Sequence, residues 1–351
     1  MLFHELNRSG CKTYLLACEQ SGLGVLIDPV KDRCDRYLAV LAYYRIKLEL
    51  IIDTHTHADH RTACWDLRDL IGARVVMHRR APAPHVDIHV DDGQRLEVGS
   101  LSLEILHTPG HTPDSVSIRA ADRVFTGDTL MIRGTGRADF AGGDPGEEYD
   151  SITKRLFALP DNLLVFPAHD YRGHTSSTIG EEKRLNPRLA GKSRAAYVEI
   201  MNNLNLPLPD KIQEALQSNE TAIDDDSIKF PSFAQLNQVR QLAPAQVSER
   251  LASGNPPLLL DVREEDEYNG ELGHIAGSIL VPLKDLPARA AEFDGSKGGE
   301  VVAICRAGVR STTAGAILTG LGFEHVYNMR GGMLDWLDAG LPVERAAGKA
   351  G

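Results

Sequence analysis

Seven consecutive residues, 54–60, strongly limit how this chain can fold. They read Thr-His-Thr-His-Ala-Asp-His and follow the apolar run 48–52. Such a run is typical of a buried strand, so the histidines are expected on the loop at its C-terminal end. Open α/β folds place their chemistry at that edge of the sheet. Three imidazoles and a carboxylate have no packing role on a solvated loop, and together they suit zinc or non-haem iron.

Composition narrows the class of protein. A chain of 351 residues favours two domains, and 42% hydrophobic with 25% charged residues is typical of a soluble globular protein. The net charge of -11 argues against nucleic acid as the main partner. We expect no membrane span and no secretory signal. Five cysteines without a CxxC pair predict a reducing, cytoplasmic setting, with Cys11, Cys18, Cys34 and Cys64 as inert thiols.

Two stretches of alternating strand and helix patterns are separated by a segment with clustered prolines and polar residues. We therefore predict a first domain over 1–190, a helical linker over 191–230, a second domain over 231–346 and a tail over 347–351. Two βα patterns of unequal size imply an α/β protein with two separate cores.

Three further candidate ligands, His111, Asp128 and His169, each follow a predicted strand. Any one of them alone is a weak signal, but the order HxHxDH, His, Asp, His is specific. It resembles the metallo-β-lactamase superfamily over roughly residues 1–189, which implies an αβ/βα sandwich with metal at one edge. In that superfamily one metal would be bound by His55, His57 and His111, a second by Asp59, His60 and His169, with Asp128 bridging them.

Residues 126–130, 133–140, 167–171 and 181–188 resemble, more narrowly, the persulfide dioxygenase family. That family oxidises glutathione persulfide with O₂ to sulfite and glutathione. The resemblance implies one Fe(II) per chain, bound by His55, His111 and Asp128, with positions left open for sulfur and O₂. It also implies that four neighbours orient these ligands and shape the pocket: His57, Asp59, His60 and His169.

The sequence shows no separate domain for binding glutathione. Glyoxalase-II enzymes hold it with a sizeable helical C-terminal part, whereas only the short linker follows the first domain. We therefore expect the loops of the sandwich to bind it, with Arg137, Tyr171 and Arg172 as candidates. A structural ion pair explains Arg137 equally well.

Cys305 lies between a predicted strand over 301–304 and a predicted helix from Ser311. A thiol at such a position faces free backbone N–H groups, which together with Arg306 and Arg310 favour a thiolate. Cysteine phosphatases are the competing interpretation, but their CxxxxxR loop has one residue more than the C-x₄-R found here.

This loop, with residues 260–263, Glu267, 273–278 and 330–336, resembles the rhodanese sulfurtransferases over about 232–343. The resemblance implies a smaller α/β domain with a central parallel sheet, in which Cys305 carries a sulfane sulfur. The backbone of Ala307, Gly308 and Val309 would cradle that sulfur, while Arg306 and Arg310 attract anionic substrates. Asp261 and Arg263 are expected to form a structural ion pair.

Two functional hypotheses follow. In the first, a fused enzyme oxidises glutathione persulfide at iron and transfers sulfur at Cys305 between thiosulfate or sulfite and glutathione. In the second, a dinuclear zinc hydrolase of the glyoxalase-II kind carries the rhodanese part as a sensor or binding module. Cys305 argues against a purely binding role. Both hypotheses exclude nucleic acid and membrane partners, and both leave homo-oligomerisation open.

Overall fold

The structure is a computed structural model that describes residues 1–7, 10–139, 142–204, 212–221, 231, 233–236 and 238–345. It contains two compact units: the first comprises Met1–Ala81 and His85–Leu216, and the second comprises Pro82–Pro84 and the chain from Gln217 onward. The predicted tail over 347–351 and the linker residues 205–211 and 222–230 lie outside the described residues. None of the described helices is long and apolar enough to cross a membrane.

Two six-stranded sheets form the first unit, each with neighbouring strands in chain order. The first sheet contains β1 (Leu2–Glu5), β2 (Tyr14–Ala17), β3 (Leu23–Ile27), β4 (Lys47–Ile52), β5 (Arg74–His78) and β6 (Ile88–Val90). The second contains β7 (Arg95–Val98), β8 (Leu101–His107), β9 (Val116–Ala120), β10 (Arg123–Gly127), β11 (Leu164–Pro167) and β12 (Ser177–Thr178). Side chains from both sheets, among them Leu16, Ile52, Ile105 and Phe125, form one buried core. The two sheets therefore pack face to face.

Helices cover the outer faces of this pair of sheets. They are α1 (Cys34–Tyr44), α2 (Cys64–Ile71), α3 (Pro145–Asp150), α4 (Ile179–Leu185) and α5 (Arg194–Asn202). A further helix, α6 (Ile212–Thr221), contains the residue at which the first unit ends. A π-helical turn, Ser151–Arg155, continues α3. Neighbouring residues of β10 point to opposite faces, so Phe125 enters the inter-sheet core while Val124 packs with Ile152 outside it. Because α2 packs on β4 and β5, the predicted αβ/βα sandwich is confirmed.

The strands that lead to the candidate residues end at one edge. Strands β8 and β10 both run antiparallel to β9, and β11 runs parallel to β10. The loops bearing His111, Asp128 and His169 therefore leave the second sheet on the same side. The loop after β4 is joined to this edge because the backbone N–H of Val116 donates to the Thr54 carbonyl at 2.8 Å.

Part of the predicted linker belongs to the first unit. Helix α5 packs against α3, with the ring centroids of Tyr149 and Tyr197 5.5 Å apart. Tyr197 and Met201 are buried in the apolar cluster outside the second sheet. The first unit thus extends past residue 190, because the apolar face of α5 completes its outer layer.

A five-stranded parallel sheet forms the centre of the second unit, in the order β13-β17-β16-β14-β15. These strands are β13 (Arg240–Leu242), β14 (Leu258–Asp261), β15 (Ile279–Leu280), β16 (Glu300–Ile304) and β17 (His325–Met329). The helices are α7 (Phe233–Leu236), α8 (Pro244–Leu251), α9 (Glu265–Tyr268), α10 (Leu286–Arg289), α11 (Val309–Gly320) and α12 (Gly332–Asp338). Consecutive β16 residues enter different apolar clusters, Ala303 with Leu318 and Ile304 with Trp336. The predicted central parallel sheet, buried on both faces, is confirmed.

Candidate functional site

Three side chains from three loops converge at the edge where these strands end. Nε2 of His55 lies 3.9 Å from Oδ2 of Asp128, and Nε2 of His111 lies 3.7 Å from the same oxygen. All three side chains are buried, and their candidate ligand atoms lie within 4.8 Å of one another. Two imidazoles and one carboxylate on one side form the donor set that suits non-haem iron.

Hydrogen bonds hold both imidazole rings in the orientation a metal ligand needs. Nδ1 of His111 donates to the Arg137 carbonyl at 2.6 Å. The Thr54 hydroxyl donates to Asp28 at 2.9 Å, so its oxygen accepts from Nδ1 of His55 at 3.0 Å. Each ring therefore carries its proton on Nδ1 and directs the Nε2 lone pair at Asp128. Burial, with His57 and His111 nearby, lowers the pKa of His55 well below its ordinary value, which keeps this ring neutral.

Asp128 uses its other oxygen to bind His169. Nδ1 of His169 donates to Asp128 Oδ1 at 2.7 Å, and its Nε2 donates to Asp59 Oδ2 at 2.9 Å. Burial alone would lower the pKa of His169, but the charge and hydrogen bond of Asp128, followed by Asp59, raise it well above its usual range. His169 is therefore an imidazolium between two carboxylates.

The remaining motif histidines contact carboxylates of their own. Nε2 of His57 lies 3.3 Å from Asp28, and Nδ1 of His60 lies 3.1 Å from Asp59. Burial lowers the pKa of His57, but its bond to Asp28 and the charges of Asp28 and Asp53 outweigh burial and raise it to about 9. Within the described parts of the chain, no set of three converging ligand atoms joins Asp59, His60 and His169.

Asp28 is a residue that sequence reasoning missed. It is buried in the left-handed region at φ +51°, where an ordinary side chain is strained by about 1–3 kcal/mol. Its carboxylate accepts the backbone N–H of Thr54 at 2.7 Å as well as the bonds from the Thr54 hydroxyl and His57. Asp28 thus orients His57 directly and His55 through Thr54. Its only signal in the sequence is its place after a strand and before Pro29.

The three residues predicted to contact glutathione differ in their exposure and in their bonding partners. Arg137 binds Asp139 through two nitrogens at 2.6 and 2.7 Å, while its carbonyl orients His111. The Tyr171 ring is 80% exposed and stacks on His169 at 5.7 Å. Arg172 is exposed, and its backbone N–H donates to Asp170. A role in glutathione binding remains a prediction for Arg137, Tyr171 and Arg172.

Cys305 follows β16 and is buried. The backbone N–H of Gly308 donates to its sulfur at 3.1 Å, and the Ser311 hydroxyl lies 3.2 Å away. Helix α11 begins at Val309, two residues before the predicted start, because Gly308 at φ +91° forms its N-cap. The sulfur therefore lies beside a helix N-terminus, where the backbone dipoles favour negative charge.

Two arginines near this loop are bound to carboxylates. Arg310 forms two bonds of 2.7 Å with Glu267. Burial would raise the pKa of Glu267, but the charge of Arg310 and its hydrogen bonds lower it to about 2. Arg263 and Asp261 are fully buried and form the predicted structural pair at 2.7 Å. The charge of Arg310 is thus compensated by Glu267.

Comparison with known proteins identifies relatives of both parts of the chain. The model of the metallo-beta-lactamase superfamily matches residues 6–169, and that of the rhodanese-like domain matches residues 243–339. The protein named persulfide dioxygenase ETHE1, mitochondrial, from Homo sapiens is 42% identical over 210 residues. These residues are 59% of this chain and 82% of the human protein. The chain belongs to the persulfide dioxygenase family.

Solved structures extend the comparison. The crystal structure of ETHE1 from Myxococcus xanthus is 47% identical, covers 63% of this chain and 98% of its own, and has a TM-score of 0.61. A metallo-beta-lactamase structure from Staphylococcus aureus covers 94% of this chain and 98% of its own, with a TM-score of 0.59. Its 21% identity shows shared fold alone. The predicted fusion of a persulfide dioxygenase family domain with a rhodanese-like domain is confirmed.

Proposed function

We propose that the first domain oxidises glutathione persulfide. One persulfide, one O₂ and one water would give one glutathione, one sulfite and two protons. The proposal is supported by the relative named persulfide dioxygenase, and its main structural support is the convergence of His55, His111 and Asp128. A ferrous ion held there would supply a redox centre with open coordination positions for sulfur and O₂.

The chain's own residues would hold and shape that centre. His55 and His111 offer Nε2 lone pairs because their Nδ1 atoms are held by Thr54 and the Arg137 carbonyl. His169 keeps Asp128 ionised and turns one of its oxygens away from the two histidines. Glutathione would lie against Tyr171, with Arg137 and Arg172 as further candidates for its carboxylates.

A dinuclear zinc hydrolase would need Asp59, His60 and His169 to converge on a second ion. His169 instead has both ring nitrogens bound to Asp128 and Asp59. This arrangement favours a single metal, not a bridged pair, at the cluster of His55, His111 and Asp128. Toward that metal it gives four residues a supporting role: His57, Asp59, His60 and His169.

We further propose sulfur transfer at Cys305. Its thiolate would attack the outer sulfur of thiosulfate, and sulfite would leave with the electron pair of the broken S–S bond. A glutathione thiolate would then take that sulfur, releasing glutathione persulfide and restoring Cys305. The backbone around Gly308 and the Ser311 hydroxyl would stabilise the anionic sulfur. Arg306 and Arg310 are the candidates for attracting anionic substrates, and Arg310 is also hydrogen-bonded to Glu267.

Metal content and oxygen uptake test the first activity. Anaerobically purified protein is expected to hold one iron per chain and to consume O₂ when glutathione persulfide is added. Asp128→Asn should weaken iron binding by more than the roughly 10–100-fold that losing a supporting residue costs. The exposed Asp122, paired with Arg123, provides the control Asp122→Asn. Two zinc ions per chain, with thioester hydrolysis and no O₂ uptake, would contradict the proposal.

A further inference from the structure

A second set of candidate ligands lies beside the proposed iron ligands and shares no residue with them. One atom each of Cys11, His57 and His60 lies within 4.8 Å of the others. Cys11 and His57 are buried and His60 nearly so. Sequence reasoning treated Cys11 as inert, because nothing in its spacing relates it to histidines more than 40 positions away.

Hydrogen bonds to backbone atoms position Cys11 and its neighbour Lys12. Nδ2 of Asn7 donates to the Cys11 carbonyl at 3.1 Å. The backbone N–H of Lys12 donates to the Ala168 carbonyl at 2.7 Å. The backbone next to Cys11 is therefore hydrogen-bonded to the residue before His169. These bonds fix the position of the Cys11 side chain relative to the histidines.

Each histidine of this set also has a carboxylate on one ring nitrogen. Nε2 of His57 contacts Asp28 at 3.3 Å, and Nδ1 of His60 contacts Asp59 at 3.1 Å. Histidines that bind metal usually have such a carboxylate on the nitrogen that does not coordinate, because it orients the ring and makes the other nitrogen a better donor. The nitrogen that could bind a metal is therefore Nδ1 in His57 and Nε2 in His60.

One sulfur and two imidazole donors select the class of ion. Hard cations such as Mg²⁺ and Ca²⁺ require oxygen ligands, whereas a thiolate with imidazoles suits Zn²⁺ and similar ions. We propose that Cys11, His57 and His60 form a binding site for a thiophilic metal ion, separate from the proposed iron site. Binding replaces the thiol proton of Cys11 and the proton on the ring nitrogen that His57 offers to the metal, and both protons pass to the buffer. The proposal does not depend on which reaction His55, His111 and Asp128 support.

Cobalt reports directly on a thiolate ligand, so Co²⁺ serves as the spectroscopic probe for Zn²⁺. Iron-loaded protein carrying Cys305→Ser, which removes the other functional thiol, is titrated anaerobically with Co²⁺. We expect a thiolate-to-cobalt charge-transfer band that saturates at one equivalent. Adding Cys11→Ser should abolish the band, whereas Cys34→Ser, at a half-buried thiol of α1, should leave it.

A band that persists after Cys11→Ser, or its absence in the parent protein, would overturn the proposal. X-ray absorption of the Zn²⁺-loaded parent protein gives an answer even if Cys11→Ser does not fold. One sulfur and at least two nitrogen neighbours around zinc are expected. A coordination shell without sulfur would contradict the site and leave the iron proposal untouched.

Discussion

At the scale of single residues, Asp128 divides its two oxygens between different neighbours. Oδ1 accepts the bond from His169, and Oδ2 faces the Nε2 atoms of His55 and His111. Burial would raise the pKa of Asp128, but the charge and hydrogen bond of His169 lower it below its usual range. The carboxylate is therefore ionised and already oriented before any ligand arrives.

Glu267 allows a test of electrostatics in the second domain. Its folded pKa of about 2 lies below its ordinary value of 4.5, so the ion pair with Arg310 stabilises the fold above pH 4.5. That contribution is lost as the pH falls toward 2. We expect Glu267→Gln to lower the free energy of unfolding at pH 7 by about 3 kcal/mol, the lower end for breaking a buried pair.

Urea unfolding at pH 7 and pH 3 measures this difference. The chain has two tryptophans, so a Trp65→Phe background makes the fluorescence report on Trp336 in the second domain. Glu292→Gln is the matched control, because Glu292 is exposed and paired with Arg289, and the unfolding free energy should stay unchanged. An equal loss at both pH values would show that the ion pair is not the cause.

Sequence reasoning reached the motif histidines because four metal-capable side chains within six positions have no packing explanation. It could not reach Asp28 or Cys11. Asp28 contacts a histidine 29 positions away, and no local periodicity encodes such a contact. Nor could it foresee that Arg310 would bind Glu267, since both residue types are common on solvated surfaces.

At the scale of elements, the site depends on close approaches between loops. Gly136 donates its backbone N–H to the Asp128 carbonyl at 2.6 Å. A Cβ atom at Gly136 would lie 2.5 Å from that carbonyl oxygen and 2.9 Å from Nδ1 of His111. The loop after β10 can thus pass behind both predicted ligands only where no side chain intervenes.

Gly136→Ala should therefore weaken iron binding. The methyl group must displace the Asp128 backbone or the His111 ring, and we expect a roughly 10–100-fold loss of iron affinity, as for other supporting contacts. Competition with a graded series of chelators measures it. Gly134→Ala is the control, because its Cβ would meet only Met131 at 3.9 Å. Equal iron affinities in the two variants would refute this account.

Strands were easier to predict than the elements that pack on them. Apolar runs such as 48–52 have one simple interpretation, and β4 lies within one residue of it. Residues 145–158, by contrast, divide into α3, a π-helical turn and a 3₁₀ turn. Helical spacing also predicted α5 but not its partner, because the pattern shows an apolar face and not what covers it.

At the scale of the whole molecule, each unit has a core of its own. Each also contains one proposed reaction centre, with Asp128 in the first unit and Cys305 in the second. Both proposed reactions handle sulfite and glutathione, so fusion raises the effective concentration of one centre near the other. Separate cores predict that a substitution at one centre leaves the other chemistry intact.

Cys305→Ser should lower sulfite release from thiosulfate and glutathione by roughly 10³-fold or more, because the nucleophile is lost. Oxygen uptake with supplied glutathione persulfide should stay near the parent rate. Cys34→Ser provides the matched control and should leave both rates unchanged. A folded Cys305→Ser variant that loses both activities would contradict the two-centre account.

The parallel sheet of the second unit has short outer strands. Its edges are β13, with three residues, and β15, with two. Unpaired backbone groups along a long edge would form a template for strands of other molecules, whereas such short edges present few of them. The longer strands β14, β16 and β17 lie between them, each paired on both sides. This strand order therefore protects the second unit against edge-to-edge aggregation.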